Sequence, residues 1–151
     1  MTYGEIRERM RRFQERQFVG GVADGSIFAA QAQFEGTFPA DLVEYLRNLG
    51  AGHVGSEEFI GLGGPKHLDV VHMATHLREP STHGSFPRSL VPLREDGFGN
   101  YDCVDLLAST ESHSQVVAWQ HDAHEQPAGT QTILGLWVWF DQILDIVSED
   151  G

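Results

Sequence analysis

The chain has 151 residues, and its 22 acidic side chains outnumber the 10 lysines and arginines, which gives a formal net charge of −12. This length predicts one domain with a core of its own. Hydrophobic residues make up 40% of the chain and aromatic residues 10%, which is too apolar for a disordered protein. The negative charge disfavours binding to nucleic acid or to an anionic membrane.

Cys103 is the single cysteine of the chain, which excludes an intramolecular disulfide and a cysteine-rich zinc module. Its place in a predicted strand between Asp102 and Val104 favours a buried thiol with a raised pKa, and hence a core residue instead of a nucleophile. The N-terminal residues lack the apolar segment of a signal peptide, and the longest apolar stretch, residues 133–140, is too short to span a bilayer. We therefore expect a cytoplasmic protein.

Charge is distributed unevenly along the chain. Half of the lysines and arginines lie within the first sixteen residues, whereas eleven acidic residues and no lysine or arginine follow Arg94. An acidic C-terminal half of this kind attracts basic proteins and repels nucleic acid. The alternative interpretation is that the acidic surface only keeps the protein soluble.

Three helices are predicted in the first fifty residues. Apolar residues spaced three and four apart predict an N-terminal amphipathic helix: Tyr3, Ile6, Met10 and Phe13. A glycine-containing loop follows, and residues 27–34 are interpreted as a second, short helix. The third helix begins after Pro39 and ends at Gly50, because glycine favours helix ends.

The middle of the chain is less regular. Residues 57–62 are compatible with a short strand. Residues 68–77 fit a helix better than a strand because their apolar side chains recur at helical spacing. Serine, threonine, glycine and proline mark residues 81–87 as a loop.

Apolar and polar residues alternate with a period of two in the last third of the chain. This pattern predicts strands at residues 90–93, 101–106 and 116–119, joined as an antiparallel meander. Pro92 restricts the first of these strands to an edge or a strand end, because proline cannot donate a backbone hydrogen bond.

Gly97 and Gly99 lie in the turn between the first two of these strands, where glycine permits a positive φ. Apolar residues between 136 and 147 recur at helical spacing and predict a C-terminal helix that docks on the sheet. The predicted fold class is α+β: a single domain whose mainly antiparallel sheet is formed by the C-terminal half and is flanked by N-terminal helices and a C-terminal helix.

Two groups of histidines suggest a metal site. His72 and His76 are four residues apart, as a helix needs to present two imidazoles to one ion, but Met73 stands where the zinc-protease motif has glutamate. A polar loop adds four potential ligands: His121, Asp122, His124 and Glu125. Polar loops are usually only solvated, yet a metal-dependent hydrolase built on these two groups stays open as an alternative.

Three motifs in a fixed order resemble one family. They are the segment Phe38-Pro39-Ala40-Asp41-Leu42, the stretch of residues 95–106 with Gly99-Asn100-Tyr101 and Cys103-Val104-Asp105-Leu106, and Val116-Val117 followed by Trp119 and His121-Asp122. Together with the C-terminal helix they resemble the SUKH superfamily, the Smi/Knr-type domain, over about residues 25–148. The chain would then divide into an amphipathic basic helix and loop, residues 1–24, and a SUKH-like α+β domain, residues 25–151.

The resemblance implies a non-enzymatic domain that binds proteins. Bacterial members are commonly immunity proteins that bind and neutralise a toxin, often a nuclease, and fungal relatives act as regulatory scaffolds. The family has no catalytic residues to carry over, and no metal or cofactor is expected. The resemblance assigns a mainly structural role to the matching motif residues Pro39, Gly97, Gly99, Asn100, Asp105, Trp119 and Asp122.

Charge and resemblance lead to the same hypothesis for the site. A toxin that cleaves nucleic acid has a basic substrate groove, which an acidic inhibitor can approach fast and cover. The expected electronegative patch consists of Asp96, Asp102, Asp122 and Glu125, with Phe98 as a hydrophobic anchor. The partner would be a basic toxin domain, with no nucleic acid or membrane involved, and we expect a monomer or a weak dimer. Each carboxylate could instead be a solvated turn residue, and a scaffold or an acidic DNA mimic remain alternatives.

Overall fold

The computed structural model of the protein describes residues 1–80, 85–120 and 132–150. The helices in these ranges are α1 (Tyr3–Met10), α2 (Asp24–Gln31), α3 (Ala40–Asn48), α4 (Val70–Arg78) and α5 (Leu136–Asp150). One antiparallel sheet consists of β1 (Arg16–Phe18), β2 (Gly52–Val54) and β3 (Glu57–Phe59), in that order. The other consists of β4 (Leu90–Glu95), β5 (Tyr101–Asp105), β6 (Gln115–Trp119) and β7 (Thr132–Leu134).

The four-stranded sheet confirms the predicted meander and the α+β fold class. Its strands follow one another in chain order, and Val104 in the centre pairs with Val91 on one side and Val116 on the other. Pro92 lies in the edge strand β4, and the register shifts between Pro92 and Arg94. The proline therefore occupies a position where its missing N–H leaves the sheet intact.

The three-stranded sheet is where the sequence interpretation is incomplete. Residues 57–62 were expected to form one strand, but β3 ends at Phe59, and β1 and β2 were not predicted. Each of these strands has only three residues, and a period of two cannot be recognised over such a length. Strand β7, also three residues long, was missed for the same reason.

All five helices were predicted, and two of them begin elsewhere than expected. Helix α2 begins at Asp24 and ends at Gln31, three residues before Phe34, the expected end. Helix α4 begins at Val70 because the Asp69 carboxylate accepts a hydrogen bond from the backbone N–H of His72, at 2.8 Å, and caps the helix. Gly50 follows α3 with a φ of +76°, as its predicted role requires.

Helix α5 closes the core, as the apolar spacing predicts. The Phe140 ring stacks on Phe59 at a centroid distance of 4.4 Å, and the edge of Trp139 meets Phe59 at 5.8 Å. From the other end of the chain, α1 contributes the fully buried Ile6 and packs against α5. Among the described residues, no helix has both the length and the apolar character needed to cross a membrane.

Candidate partner-binding surface

The turn between β4 and β5, which we call the hairpin tip (residues 96–99), is organised by one carboxylate. Asp96 Oδ1 accepts hydrogen bonds from the backbone N–H groups of Phe98, at 2.8 Å, and Asn100, at 3.2 Å. Asp96 Oδ2 accepts from the Asn100 side-chain amide at 3.2 Å. Gly97 and Gly99 have φ values of +92° and +85°, which confirms the glycine prediction for this turn.

The hairpin tip presents an aromatic ring to solvent. Phe98 is 81% exposed, the largest exposure among the large hydrophobic side chains of the described residues. Partial burial of Asp96 opposes its ionisation, but the hydrogen bonds from Phe98 and Asn100 outweigh that effect and lower the pKa of this carboxyl group. The exposed ring therefore lies beside a carboxylate that remains charged at neutral pH.

Asp102, the second acidic residue of the expected patch, lies within β5 and not on a loop. Its Oδ2 accepts a hydrogen bond from Arg94 Nη1 at 3.1 Å and another from the Trp139 indole at 3.0 Å. Arg94 Nε also donates to Glu57 at 2.8 Å, so this network joins β3, β4, β5 and α5. The structure gives Asp102 a role in holding the hairpin on the core, and a direct contact with a partner stays a prediction.

Beside the hairpin tip lies a cavity of about 350 Å³, which we call the acidic groove. Its carboxylates come from two strands and the tip: Glu57, Glu58, Glu95 and Asp96. Its apolar lining is buried or half-buried: Ile60, Leu68, Met73 and Tyr101. The sequence interpretation included Asp96 but missed the other carboxylates, because β3 and β4 belong to different sheets.

Individual groups of the acidic groove differ in how they are paired. Glu57 is paired with Arg94, and His67 Nε2 approaches Glu58 Oε2 to 3.1 Å. The Tyr101 hydroxyl donates to Glu95 Oε2 at 3.4 Å. Burial and the neighbouring Glu95 carboxylate raise the pKa of Tyr101, so its hydroxyl stays protonated at neutral pH.

The motif residues that the structure describes, which are all of the set except Asp122, lie at turns, at a helix end and in the core. Pro39 is the N-cap of α3, and Asp105 Oδ1 accepts a hydrogen bond from the backbone N–H of Leu107 at 3.1 Å. Trp119 is buried with its ring edge-on to Phe86, at 5.0 Å between centroids. Asn100, directly after the hairpin tip, donates to Asp96, and the mainly structural role that the resemblance implies for these residues stays a prediction.

Asp41 connects distant elements of the fold, a role that the sequence interpretation did not single out. Its buried carboxylate accepts hydrogen bonds from the backbone N–H of Ser114 (3.0 and 2.9 Å), from the Ser114 hydroxyl (2.5 Å) and from the backbone N–H of Leu136 (2.9 Å). One side chain of α3 thus holds the start of β6 and the first residue of α5. The motif Phe38-Pro39-Ala40-Asp41-Leu42 contains the residue but no sign of these distant partners.

The histidine groups do not form a metal site within the part of the chain that the structure describes. His72 and His76 are both exposed on α4, and in the described ranges no three His, Cys, Asp or Glu side chains converge as a metal ion would need. Residues 121–125, predicted to form a polar loop, lie outside the described residues, and they include Asp122 and Glu125 of the expected patch.

Cys103 is a core residue. Its side chain is completely buried in β5. Burial, together with the charges of Asp102 and Asp105, raises the pKa of the thiol well above its usual value. The thiol is therefore protonated at neutral pH, in agreement with the interpretation that it is not a nucleophile.

Some carboxylates of the acidic C-terminal half form ion pairs with arginines from earlier in the chain. Arg9 of α1 donates to Asp141 Oδ1 at 2.7 Å and to Asp145 Oδ1 at 2.6 Å, both on α5. Arg94 likewise faces Asp102. Glu95 and Asp96, which directly follow Arg94 in the chain, are exposed at the hairpin.

Comparisons with known proteins agree with the fold. The family model SUKH_5, described as SMI1-KNR4 cell-wall, matches residues 5–145, which includes most of α1. A protein from Pseudomonas syringae pv. tomato, known from its crystal structure, is similar with a TM-score of 0.67 and 20% sequence identity, over 91% of this chain and 95% of that chain. At this identity the likeness shows a shared fold, and no curated protein matches the sequence significantly. Because the family model spans nearly the whole sequence, the chain belongs to the SUKH_5 family, the SMI1-KNR4 type of domain.

Proposed function

We propose that this protein is an immunity protein that binds a bacterial toxin in the cytoplasm, covers its active surface and carries out no catalysis of its own. The observation that carries the proposal is the hairpin tip, where the 81% exposed ring of Phe98 lies beside the charged Asp96. Aromatic side chains are frequent anchors in protein interfaces. The membership of the family supports a protein-binding domain.

A basic toxin, such as a nuclease domain, suits this surface best. The net charge of −12 favours approach of a positively charged partner, and the acidic groove, which shares Asp96 and Gly97 with the hairpin tip, brings the exposed carboxylates of Glu58, Glu95 and Asp96 together. Charge would determine the rate of association and the choice of partner, whereas burial of the aromatic ring would slow dissociation. Asp96 and Phe98 are the proposed contact residues, with Asp102 positioning the hairpin, and Asp122 and Glu125, outside the described residues, remain proposed contacts.

Co-expression with a toxin tests this function. Where a neighbouring gene encodes a large secreted protein with a small toxic C-terminal domain, expression of that domain should kill the host cell, and this chain should restore growth. The Phe98→Ala variant should bind the domain about tenfold more weakly or worse, since truncated interface anchors commonly cost more than 1 kcal/mol. Calorimetry with a catalytically inactive toxin domain measures the affinity.

Phe28→Ala is the matched control, because Phe28 is 61% exposed on α2 and belongs neither to the hairpin tip nor to the lining of the acidic groove. It should bind the toxin as the unaltered protein does. Continued killing despite soluble expression of this chain would refute the immunity function. Equal affinity for the Phe98→Ala and Phe28→Ala variants would refute the assignment of the hairpin tip.

A regulatory scaffold is the second candidate, and the family description "SMI1-KNR4 cell-wall" favours it. A scaffold would use a partner-binding surface without a toxin. It would be bound by a host protein even in cells that lack any toxin gene beside this one, and co-expression would give no protection. The growth test therefore separates the two functions.

A further inference from the structure

We propose that the acidic groove receives a lysine or arginine side chain of the partner, next to the contact made by Phe98. This inference rests on the proposed function, because it names the chemistry that the same surface recognises. The groove and the hairpin tip share Asp96 and Gly97, so one segment of a partner could contact both.

The apolar lining of the groove fits the stem of such a side chain. Lysine and arginine bury three or four methylene groups along apolar surface while the charged end stays near water. Met73 offers the accessible apolar surface of the groove, because it is half-buried, whereas Leu68 and Ile60 of the same lining are almost completely buried. A purely ionic ligand such as a metal ion would leave this apolar lining unused.

The charges at the groove favour a cation of the partner. Glu58, Glu95 and Asp96 are exposed, whereas Arg94 is bound to Glu57 and Asp102 and its side chain is only 12% exposed. His67 is the neighbouring group that would compete with a partner's cation for Glu58 when it is protonated. The groove therefore places exposed carboxylates next to the half-buried side chain of Met73, which is complementary to a long cationic side chain.

A titration followed by NMR tests the inference on the unaltered protein. The probes are two capped pentapeptides, glycine at four positions and a central lysine or a central norleucine, which keeps four carbons of the stem but lacks the charge. The lysine peptide should shift the amide signals of residues 56–58, 67–68 and 95–97, with an affinity about tenfold higher than the norleucine peptide. Signals that do not move, or equal shifts with both peptides, would overturn the inference.

A pair of double variants tests the carboxylates. Glu58→Gln with Glu95→Gln should weaken binding of the lysine peptide about threefold or more, because two exposed ion pairs are lost. Glu35→Gln with Glu111→Gln changes the charge equally at exposed residues that do not line the groove, and it should bind as the unaltered protein does. An equal loss of affinity in both double variants would mean that net charge alone attracts the peptide. It would overturn the assignment of the acidic groove as the binding site.

The two proposals fail separately. A lysine peptide that does not bind in the groove, together with full protection from the toxin, would refute the groove and leave the immunity function in place. Binding of the lysine peptide at the groove without any protection from the toxin would refute the immunity function and leave the groove as a site for cationic side chains.

Discussion

Asp41 joins three elements through a single buried carboxylate, and its truncation tests how much the fold depends on it. Asp41→Ala leaves the backbone N–H groups of Ser114 and Leu136 without this acceptor. An unsatisfied buried donor costs about 1–3 kcal/mol, so we expect the free energy of unfolding to fall by about 3 kcal/mol. Urea unfolding measures the loss. Asp24→Ala, which removes an exposed ion pair with Arg47, is the control, and an equally small loss in both variants would contradict the prediction.

The raised pKa of Tyr45 predicts how the free energy of unfolding changes at alkaline pH. Its ring is completely buried, and its hydroxyl donates to the Ile60 carbonyl at 2.6 Å. Burial raises the pKa of Tyr45 above the value of 10.0 that an unfolded chain would have. The neutral phenol is thus favoured in the folded state, and the stability it contributes is present below pH 10 and falls as pH rises above that value.

Tyr45→Phe should therefore lower the free energy of unfolding by about 1 kcal/mol at pH 8, where the hydrogen bond is lost, and should weaken the further decline toward pH 11. Urea unfolding at both pH values is the measurement. Tyr3→Phe, at a half-buried tyrosine of α1, is the control. A Tyr45→Phe variant whose stability falls with pH as steeply as that of the unaltered protein would show that another group controls the alkaline transition.

Local signals allowed some residue roles to be predicted and not others. Gly97 and Gly99 could be assigned a positive φ because the reason lies in the glycine itself and in the adjacent strands. The role of Asp41 could not, because its partners lie 73 and 95 residues away along the chain. Phe98 was recognised as a possible anchor from the turn it occupies, but its exposure had to come from the structure.

At the scale of elements, α1 shows that the N-terminal segment packs into the core. Ile6 is fully buried, and the Tyr3 ring lies 5.1 Å from the Trp137 ring of α5. The division of the chain at residue 24 stays a prediction, and Ile6→Ala tests it. Truncation of a core isoleucine costs about 2–4 kcal/mol, so this variant should lower the free energy of unfolding of the whole protein in one cooperative transition.

Ile146→Ala provides the comparison, because Ile146 also lies in a helix but is 45% exposed. It should change stability by less than about 1 kcal/mol. Tryptophan fluorescence follows both variants, since Trp137 and Trp139 lie in the core of the domain. If Ile6→Ala only produced an early, partial transition of α1, the segment of residues 1–24 would be a separate unit.

Helices and longer strands could be predicted because their apolar spacing repeats several times, whereas strands β1, β2 and β7 could not. Arg16 and Gln17 in β1 are exposed and give no apolar signal, although Gln17 pairs with His53 in the sheet. Such strands form because their neighbours in space supply the hydrogen bonds, and this information is absent from three residues of sequence. The acidic groove was missed for the same reason, since it lies between β3 of one sheet and the hairpin of the other.

At the scale of the whole molecule, the net charge of −12 predicts the kinetics of binding. If a basic toxin is attracted over a distance, its association rate constant should fall about tenfold or more between 50 mM and 500 mM NaCl, because salt screens that attraction. The dissociation rate constant should change much less, and it serves as the internal control. Stopped-flow fluorescence with an inactive toxin domain measures both. An association rate indifferent to salt would remove electrostatic attraction from the mechanism.

The hydrogen bonds of Asp96 carry a consequence for the energetics of recognition. These hydrogen bonds hold the backbone of the turn around Phe98 in the unbound protein, so the point from which the aromatic side chain projects is fixed before docking. The turn then loses little conformational entropy when a partner binds. Because this cost is small, burial of the ring contributes more to the affinity. The backbone at residues 96–100 should accordingly have nearly the same conformation before and after the complex forms.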